Sequence, residues 1–150
     1  MNGELILRPI GRLRTPFATR ADCPGNGRKI QPPPDCVAEV DEAFHEGLAD
    51  IETFSHLILL YWLGPQPDLL TITPRNDRQP HGSFATRTPV RPNPIGLSVV
   101  SLHGVEGGRL HVRNLDCVDG TPLLDIKPYL PTTDCEPGAS MGWLRAAVPA

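Results

Sequence analysis

The sequence predicts a mainly β protein, an antiparallel barrel or sandwich-like core joined by long Pro/Gly-rich loops, with one or two short helices. Three observations point there. Eighteen prolines and 14 glycines fill about a fifth of the 150 residues, against a usual combined share of about 12%. Since a proline inside a helix costs about 3 kcal/mol, that density excludes a helical bundle. The apolar runs are strand-length, the longest being Leu57 to Leu63, far short of the ~20 residues of a membrane-spanning helix. Finally, two β-favouring runs, Ile95 to Val105 and Arg109 to Cys117, flank Gly107-Gly108, the pattern of a hairpin. At this length one domain, residues 1–150, is expected.

The elements follow in order. Glu4 to Leu13 is rich in β-favouring residues, so a first strand is expected there, with Pro9 marking a bulge or an edge. Thr15 to Asp35 is a long loop, and loops of that length in a compact domain are usually functional or disordered. Cys36 to Val40 is a short strand. Asp41 is placed to cap a short helix, with Glu42 in its first turn and Phe44 and Leu48 four apart on one face. Phe54 to Leu63 shows little alternation and predicts a buried strand. Gly64 to Gly82 is a second loop, with a short strand near Leu70 to Thr73. After the hairpin, Asp119 to Pro122 forms a turn and Leu123 to Ile126 a last short strand.

Several chemistries are poorly supported. Gly25-Asn26-Gly27 lacks the third glycine of a dinucleotide loop and has no strand and helix around it. His45, His56, His81, His103 and His111 are scattered, none at a helical ligand spacing, and Ser98 and Ser101 lack a nucleophile-elbow context. Cys23, Cys36, Cys117 and Cys135 form no C-x-x-C pair; with no secretory signal at Met1 to Glu4, they read as reduced thiols of a cytoplasmic protein, and no metal site is expected.

Two segments carry chemistry. Along Phe84 to Gly96, Pro89, Pro92 and Pro94 stiffen a loop that presents Arg87, Arg91 and Asn93. Two rigidly held guanidiniums suit a carboxylate or phosphate clamp; equally, they suit a turn whose arginines are solvated or paired with Asp116 or Asp119. In the second segment, Leu115 to Tyr129, the residues Asp125, Lys127 and Tyr129 alternate at period two and share one face of an extended chain. Such a face is the solvent side of an edge strand or the wall of a ligand site.

Ile10-Gly11, Phe54-Ser55-His56-Leu57, the run F-A-T-R-T-P-V-R-P-N-P-I-G-L-S and the run L-D-C-V-D-G-T-P-L-L-D-I-K-P-Y, in that order, resemble the YaeB/TsaA-like family, which includes S-adenosylmethionine-dependent tRNA methyltransferases of the TrmO type. The resemblance spans about Ile10 to Tyr129. It implies a small antiparallel β-barrel that binds S-adenosylmethionine, works as a homodimer, and methylates N6 of a threonylcarbamoylated adenosine beside the tRNA anticodon. It also implies cofactor contacts from Arg87, Leu97, the Asp119-Gly120-Thr121 turn, Gly64 and Pro65, and, by position more than identity, from Asp22, Cys23 and Pro24. Asp125, Lys127 and Tyr129 would stand near the transferred methyl group, with Arg91 and Asn93 toward the substrate.

The chain departs from the family pattern in three places. Thr88 stands where the family carries Ser, the loop around Asp22 matches weakly, and the chain stops soon after Trp143 without the C-terminal extension of some tRNA-modifying members. If that extension helps hold tRNA, this chain uses another substrate or relies on its dimer mate. The net charge of −3, from 14 Lys+Arg and 17 Asp+Glu, is not the basic surplus of a nucleic-acid binder. Basic residues nonetheless group before residue 30 and again over Arg75, Arg78, Arg87 and Arg91. The alternative to an enzyme is therefore a non-catalytic domain that binds S-adenosylmethionine or senses a small molecule.

Overall fold

A computed structural model describes residues 3–144. The chain divides into two compact units, one up to Leu63 together with Ile95–Tyr129, the other Gly64–Pro94 together with the described residues from Leu130 onward. The first unit is a closed antiparallel barrel. Its strands are β1 (Gly11–Arg14), β2 (Cys36–Val40), β3 (His56–Trp62), β6 (Ile95–Glu106), β7 (Arg109–Arg113) and β8 (Thr121–Pro128), and they close in the order β1-β2-β7-β6-β3-β8. The second unit carries a two-residue pair, β4 (Thr71–Ile72) with β5 (His81–Gly82), the former within the strand expected near Leu70.

Closure leaves the barrel without an open edge, and its inside is filled by Leu13, Ala38, Leu57, Leu59, Tyr61, Val100, Leu110, Val112 and Leu123, all nearly or fully buried. Along β3 buried and half-buried residues alternate, so the expected uniformly buried strand is corrected. Leu57, Leu59 and Tyr61 face inward, while Ile58, Leu60 and Trp62 lie on the outer surface as half-buried side chains. Gly11 is required where β1 meets β2, because a Cβ there would run into the Glu39 carbonyl.

Three boundaries differ from the sequence expectation. The first strand is only Gly11–Arg14, because Pro9 has no N–H to donate; upstream, Leu5 and Ile6 are 93% and 90% exposed. The helix after Asp41 is a 3-10 helix over Glu42–Leu48, and Asp41 makes no side-chain capping bond; its Phe44 and Leu48 still pack on the core as expected. The hairpin strand β7 ends at Arg113, where Asn114 turns to φ 80°, and β8 runs past both ends of the expected Leu123 to Ile126.

The outer surface of β3 and β6 is unusually apolar for the wet side of a barrel. Leu60 pairs with Leu97 and Trp62 with Ile95, and Ile95 and Leu97 remain 41% and 45% exposed. Beside them a cavity of about 330 Å³ is lined by Leu5, Leu7, Pro9, Trp62, Pro122 and Leu124. No helix among the described residues is long and apolar enough to cross a membrane.

Candidate functional site

The sequence-derived site residues fall into both units. Asp22, Cys23, Pro24, Leu97, Asp119, Gly120, Thr121, Asp125, Lys127 and Tyr129 belong to the barrel unit; Gly64, Pro65, Arg87, Arg91 and Asn93 belong to the other.

In the barrel unit the turn before β8 is tied down by its own backbone. The amide of Asp119 donates to the Phe17 carbonyl (2.8 Å), that of Gly120 to Leu13 (2.8 Å) and that of Thr121 to Val118 (3.2 Å). Gly120 adopts φ 84°, a conformation glycine takes without strain. The Thr121 hydroxyl is also spent, donating to the Val118 carbonyl at 2.6 Å. What the turn offers outward is the half-exposed Asp119 carboxylate, which accepts one bond from the Thr15 amide (3.1 Å) and lies 3.9 Å from Arg14. It can take further bonds from hydroxyl or amino donors.

The loop at Asp22 is held locally. The Asp22 carboxylate accepts from both the amide and the hydroxyl of Thr19 at 2.9 Å, closing the 3-10 turn Arg20–Asp22. Cys23 follows, half-buried, its thiol pushed up by burial and by the nearby Asp116 and Asp22 carboxylates. Pro24 is half-buried and Leu97 half-exposed.

On β8 the period-two expectation produces a contact. Lys127 Nζ lies 2.9 Å from Asp125 Oδ2, and Asp125 Oδ1 accepts the Ile126 amide at 2.9 Å. The hydrogen bond and charge of Asp125 raise the Lys127 pKa, so this lysine stays a cation at neutral pH and is not a base. Tyr129 meets His56 edge-on, ring centroids 6.4 Å apart, and its amide donates to the His56 carbonyl at 3.1 Å. Asp125 also lines a groove of about 510 Å³ whose apolar walls include Phe44, Leu48 and Ile126.

The second unit holds a stiff loop. Ser83–Ala85 is a 3-10 turn, and the Thr86 hydroxyl donates to the Ser83 carbonyl (2.8 Å) while accepting from the Thr88 amide (3.3 Å). The Thr88 hydroxyl accepts from the Val90 amide at 3.3 Å, so Thr in place of the family's Ser keeps the bond. Arg91 is half-buried, and its Nη1 donates to the carbonyls of Thr86 and Thr88, each at 3.0 Å. Arg87 stands exposed between those two threonines, Asn93 is exposed on the segment entering β6, and Gly64-Pro65 is a cis peptide.

Two features lay outside sequence reasoning. Tyr61, buried inside the barrel, donates to Asp116 (3.0 Å) and shares a 2.7 Å hydrogen bond with Ser98; burial and Asp116 push its phenol pKa upward. In the second unit Trp143 stacks on His81 (3.7 Å, 9°) and donates from its indole to the Ala85 carbonyl at 2.8 Å. Partners 37 and 58 residues apart leave no local signal.

All four cysteines are free, and no group of three or more His, Cys, Asp or Glu among the described residues is placed to hold a metal. Burial pushes the Cys117 thiol up to about 12 and Cys36 up to about 11 from an ordinary 9.0. A thiol that ionises later folded than unfolded stabilises the fold fully below pH 9, and that contribution is lost as pH rises toward 11 to 12. The thermal midpoint is therefore expected to fall between pH 9 and 11. Peptide-mapped alkylation at pH 8 should modify exposed Cys135 first and Cys36 and Cys117 last; early labelling of Cys117 would contradict the buried assignment.

Residues 12–135 match the family described as the tRNA-methyltransferase O N-terminal domain. A relative from Rhizobium radiobacter, named probable S-adenosyl-L-methionine-binding protein VirR, is 45% identical over 84% of this chain and 71% of its own length. The tRNA (adenine(37)-N6)-methyltransferase of Rattus norvegicus is 34% identical over 98% of this chain but only 37% of the rat protein. Among solved structures, a crystal structure of TrmO superposes with a TM-score of 0.78 at 37% identity, covering 94% of this chain and 64% of that one. The chain thus spans under two thirds of the TrmO chain and about a third of the rat enzyme.

Proposed function

Because the chain belongs to the tRNA-methyltransferase O N-terminal domain family, we propose that it is an S-adenosylmethionine-dependent methyltransferase acting on N6 of a threonylcarbamoylated adenosine beside the tRNA anticodon. The observation that carries the cofactor assignment is the loop Ser83 to Arg91, whose internal hydrogen bonds hold the backbone on both sides of Arg87. A guanidinium carried on a fixed backbone loses less entropy when it engages a carboxylate than one on a mobile loop.

The residues present suit the cofactor's chemistry. S-adenosylmethionine is a zwitterion with a ribose and a purine, and it supplies an electrophilic methyl group on a sulfonium sulfur. Arg87 meets its carboxylate. Asp119, whose carboxylate keeps free acceptor capacity beyond Thr15, receives hydroxyl or amino donors. Leu97, on the apolar outer surface, offers a wall for the purine. Since the amides of the Asp119 turn are all internally bonded, recognition there falls to the carboxylate. Gly64, Pro65, Cys23 and Pro24 supply surface, and Asp22 acts by fixing its loop.

On β8, Asp125 accepts the proton that leaves the carbamoylated N6 of the adenosine as that nitrogen becomes nucleophilic. Lys127 stays protonated beside it and balances the charge. Tyr129 packs against His56 and completes that wall. The apolar groove that Asp125 lines, with Phe44 on one side, suits a planar base presented out of its stack. Asn93 and the remaining donors of Arg91 face the RNA.

A homodimer is part of this reading. Leu5, Ile6, Leu7 and Ile95 are exposed apolar side chains on a single small unit, and apolar surface of that kind marks an interaction face. Sedimentation equilibrium is expected to give a dimer, and a monomer at micromolar concentration would contradict it. A second reading, cofactor binding without transfer, is favoured by the name of the Rhizobium relative. Calorimetric titration with S-adenosylmethionine tests the step common to both: saturable one-site binding is expected, and no heat from folded protein would refute both readings.

A further inference from the structure

We propose that Arg91 is a positioning residue that fixes Arg87 for the cofactor carboxylate; this rests on the reading of Arg87 given above. The conformation of Arg87 is set by the peptide planes before and after it. The plane before it carries the Thr86 carbonyl, which accepts Arg91 Nη1 at 3.0 Å. The plane after it carries the Thr88 amide, which donates to the Thr86 hydroxyl at 3.3 Å. One plane further on, the Thr88 carbonyl accepts the same Nη1 at 3.0 Å.

A single guanidinium nitrogen therefore bridges two carbonyls that bracket Arg87; the Thr86 hydroxyl ties the Thr88 amide between them, and the Thr88 hydroxyl ties the Val90 amide just beyond. Arg91 is half-buried, so these bonds stand in reduced competition with water. Pro89 and Pro92 flank the bridge and remove two more backbone rotations. The strand side of the loop is held as well, through the bond from the Trp143 indole to the Ala85 carbonyl at 2.8 Å.

The chemistry distinguishes this role from a direct one. A ligand contact by Arg91 would cost affinity independently of Arg87, whereas a positioning contact acts only through it. The test uses Arg91→Gln, Arg91→Lys, Arg87→Ala and the double variant with Arg87→Ala and Arg91→Gln, all as the full chain and all checked for an unchanged thermal midpoint. Arg91→Gln is expected to lower S-adenosylmethionine affinity by about tenfold, the worth of a charge-assisted bond pair partly replaced. Arg91→Lys, which keeps a cationic donor, should recover part of that. In the Arg87→Ala background the Arg91 substitution should cost nothing further.

Hydrogen exchange of the ligand-free protein supplies the second readout. The Thr88 and Val90 amides should exchange faster in Arg91→Gln than in the parent. Additive affinity losses would overturn the proposal, since Arg91 would then touch the ligand itself. Unchanged exchange at those amides would overturn it too, because the bridge would not be what holds the loop. If Arg87→Ala alone leaves affinity intact, the carboxylate reading of Arg87 falls, and the exchange result still decides whether Arg91 fixes the loop. Should Arg91→Gln fail to fold, Arg91→Lys carries the same comparison at smaller amplitude.

Discussion

Replacing Arg87 by alanine is expected to lower S-adenosylmethionine affinity by roughly ten- to a hundredfold while leaving the fold intact. A hydrogen bond to a charged group contributes about 1.5–3 kcal/mol net, and each 1.4 kcal/mol is a factor of ten in affinity. Arg87 stands exposed, so its truncation opens no cavity, and the loop around it is held by bonds from Thr86, Thr88 and Arg91 that the substitution leaves in place. Calorimetry at fixed ionic strength checks the affinity and a thermal scan checks the fold. An unchanged dissociation constant would remove Arg87 from the site.

The second large effect is expected on the chemical step. Asp125→Asn should reduce the methyl-transfer rate by about 10²- to 10⁴-fold, the usual contribution of a positioned general base, with cofactor affinity nearly unchanged. Asparagine keeps an oxygen for the Ile126 amide that now bonds Asp125 Oδ1 at 2.9 Å. What it loses is the proton-accepting carboxylate and the pairing with Lys127, and an ion pair with side chains 59% and 44% exposed contributes little to stability. Rate and stability are thus expected to separate. Equal loss of rate and of cofactor affinity would place Asp125 at the cofactor and not at the leaving proton.

The fold was legible wherever local chemistry decided it. Cys36–Val40 is the strand the sequence called for, bounded by Pro34 and Asp35 before and Asp41 after. The glycine pair did mark the β6–β7 hairpin, with Gly107 at φ 59°. Failures came where tertiary pairing overrode propensity. Pro122 read as part of a turn, yet it lies within β8 opposite Arg12, and the strand expected to end at Ile126 runs on to Pro128. Leu5 to Leu7 looked like strand, yet pairing begins only after Pro9.

The site divides in the same way. Alternation at period two foretold that Asp125 and Lys127 share a face, and the 2.9 Å ion pair follows from it. A proline-stiffened loop foretold a presented Arg87. That Arg91 would turn back onto the Thr86 and Thr88 carbonyls, and that Trp143 would reach Ala85, depends on the folded path of the loop. No spacing rule encodes it.

The most direct test is transfer of a labelled methyl group from S-adenosylmethionine to tRNA carrying threonylcarbamoyladenosine beside the anticodon, followed by nucleoside mass analysis. One added methyl on N6 of that nucleoside is expected, abolished or greatly slowed by Asp125→Asn. Saturable cofactor binding with no label in any nucleoside of that tRNA would contradict it and leave a domain that binds S-adenosylmethionine without transferring its methyl group to this RNA.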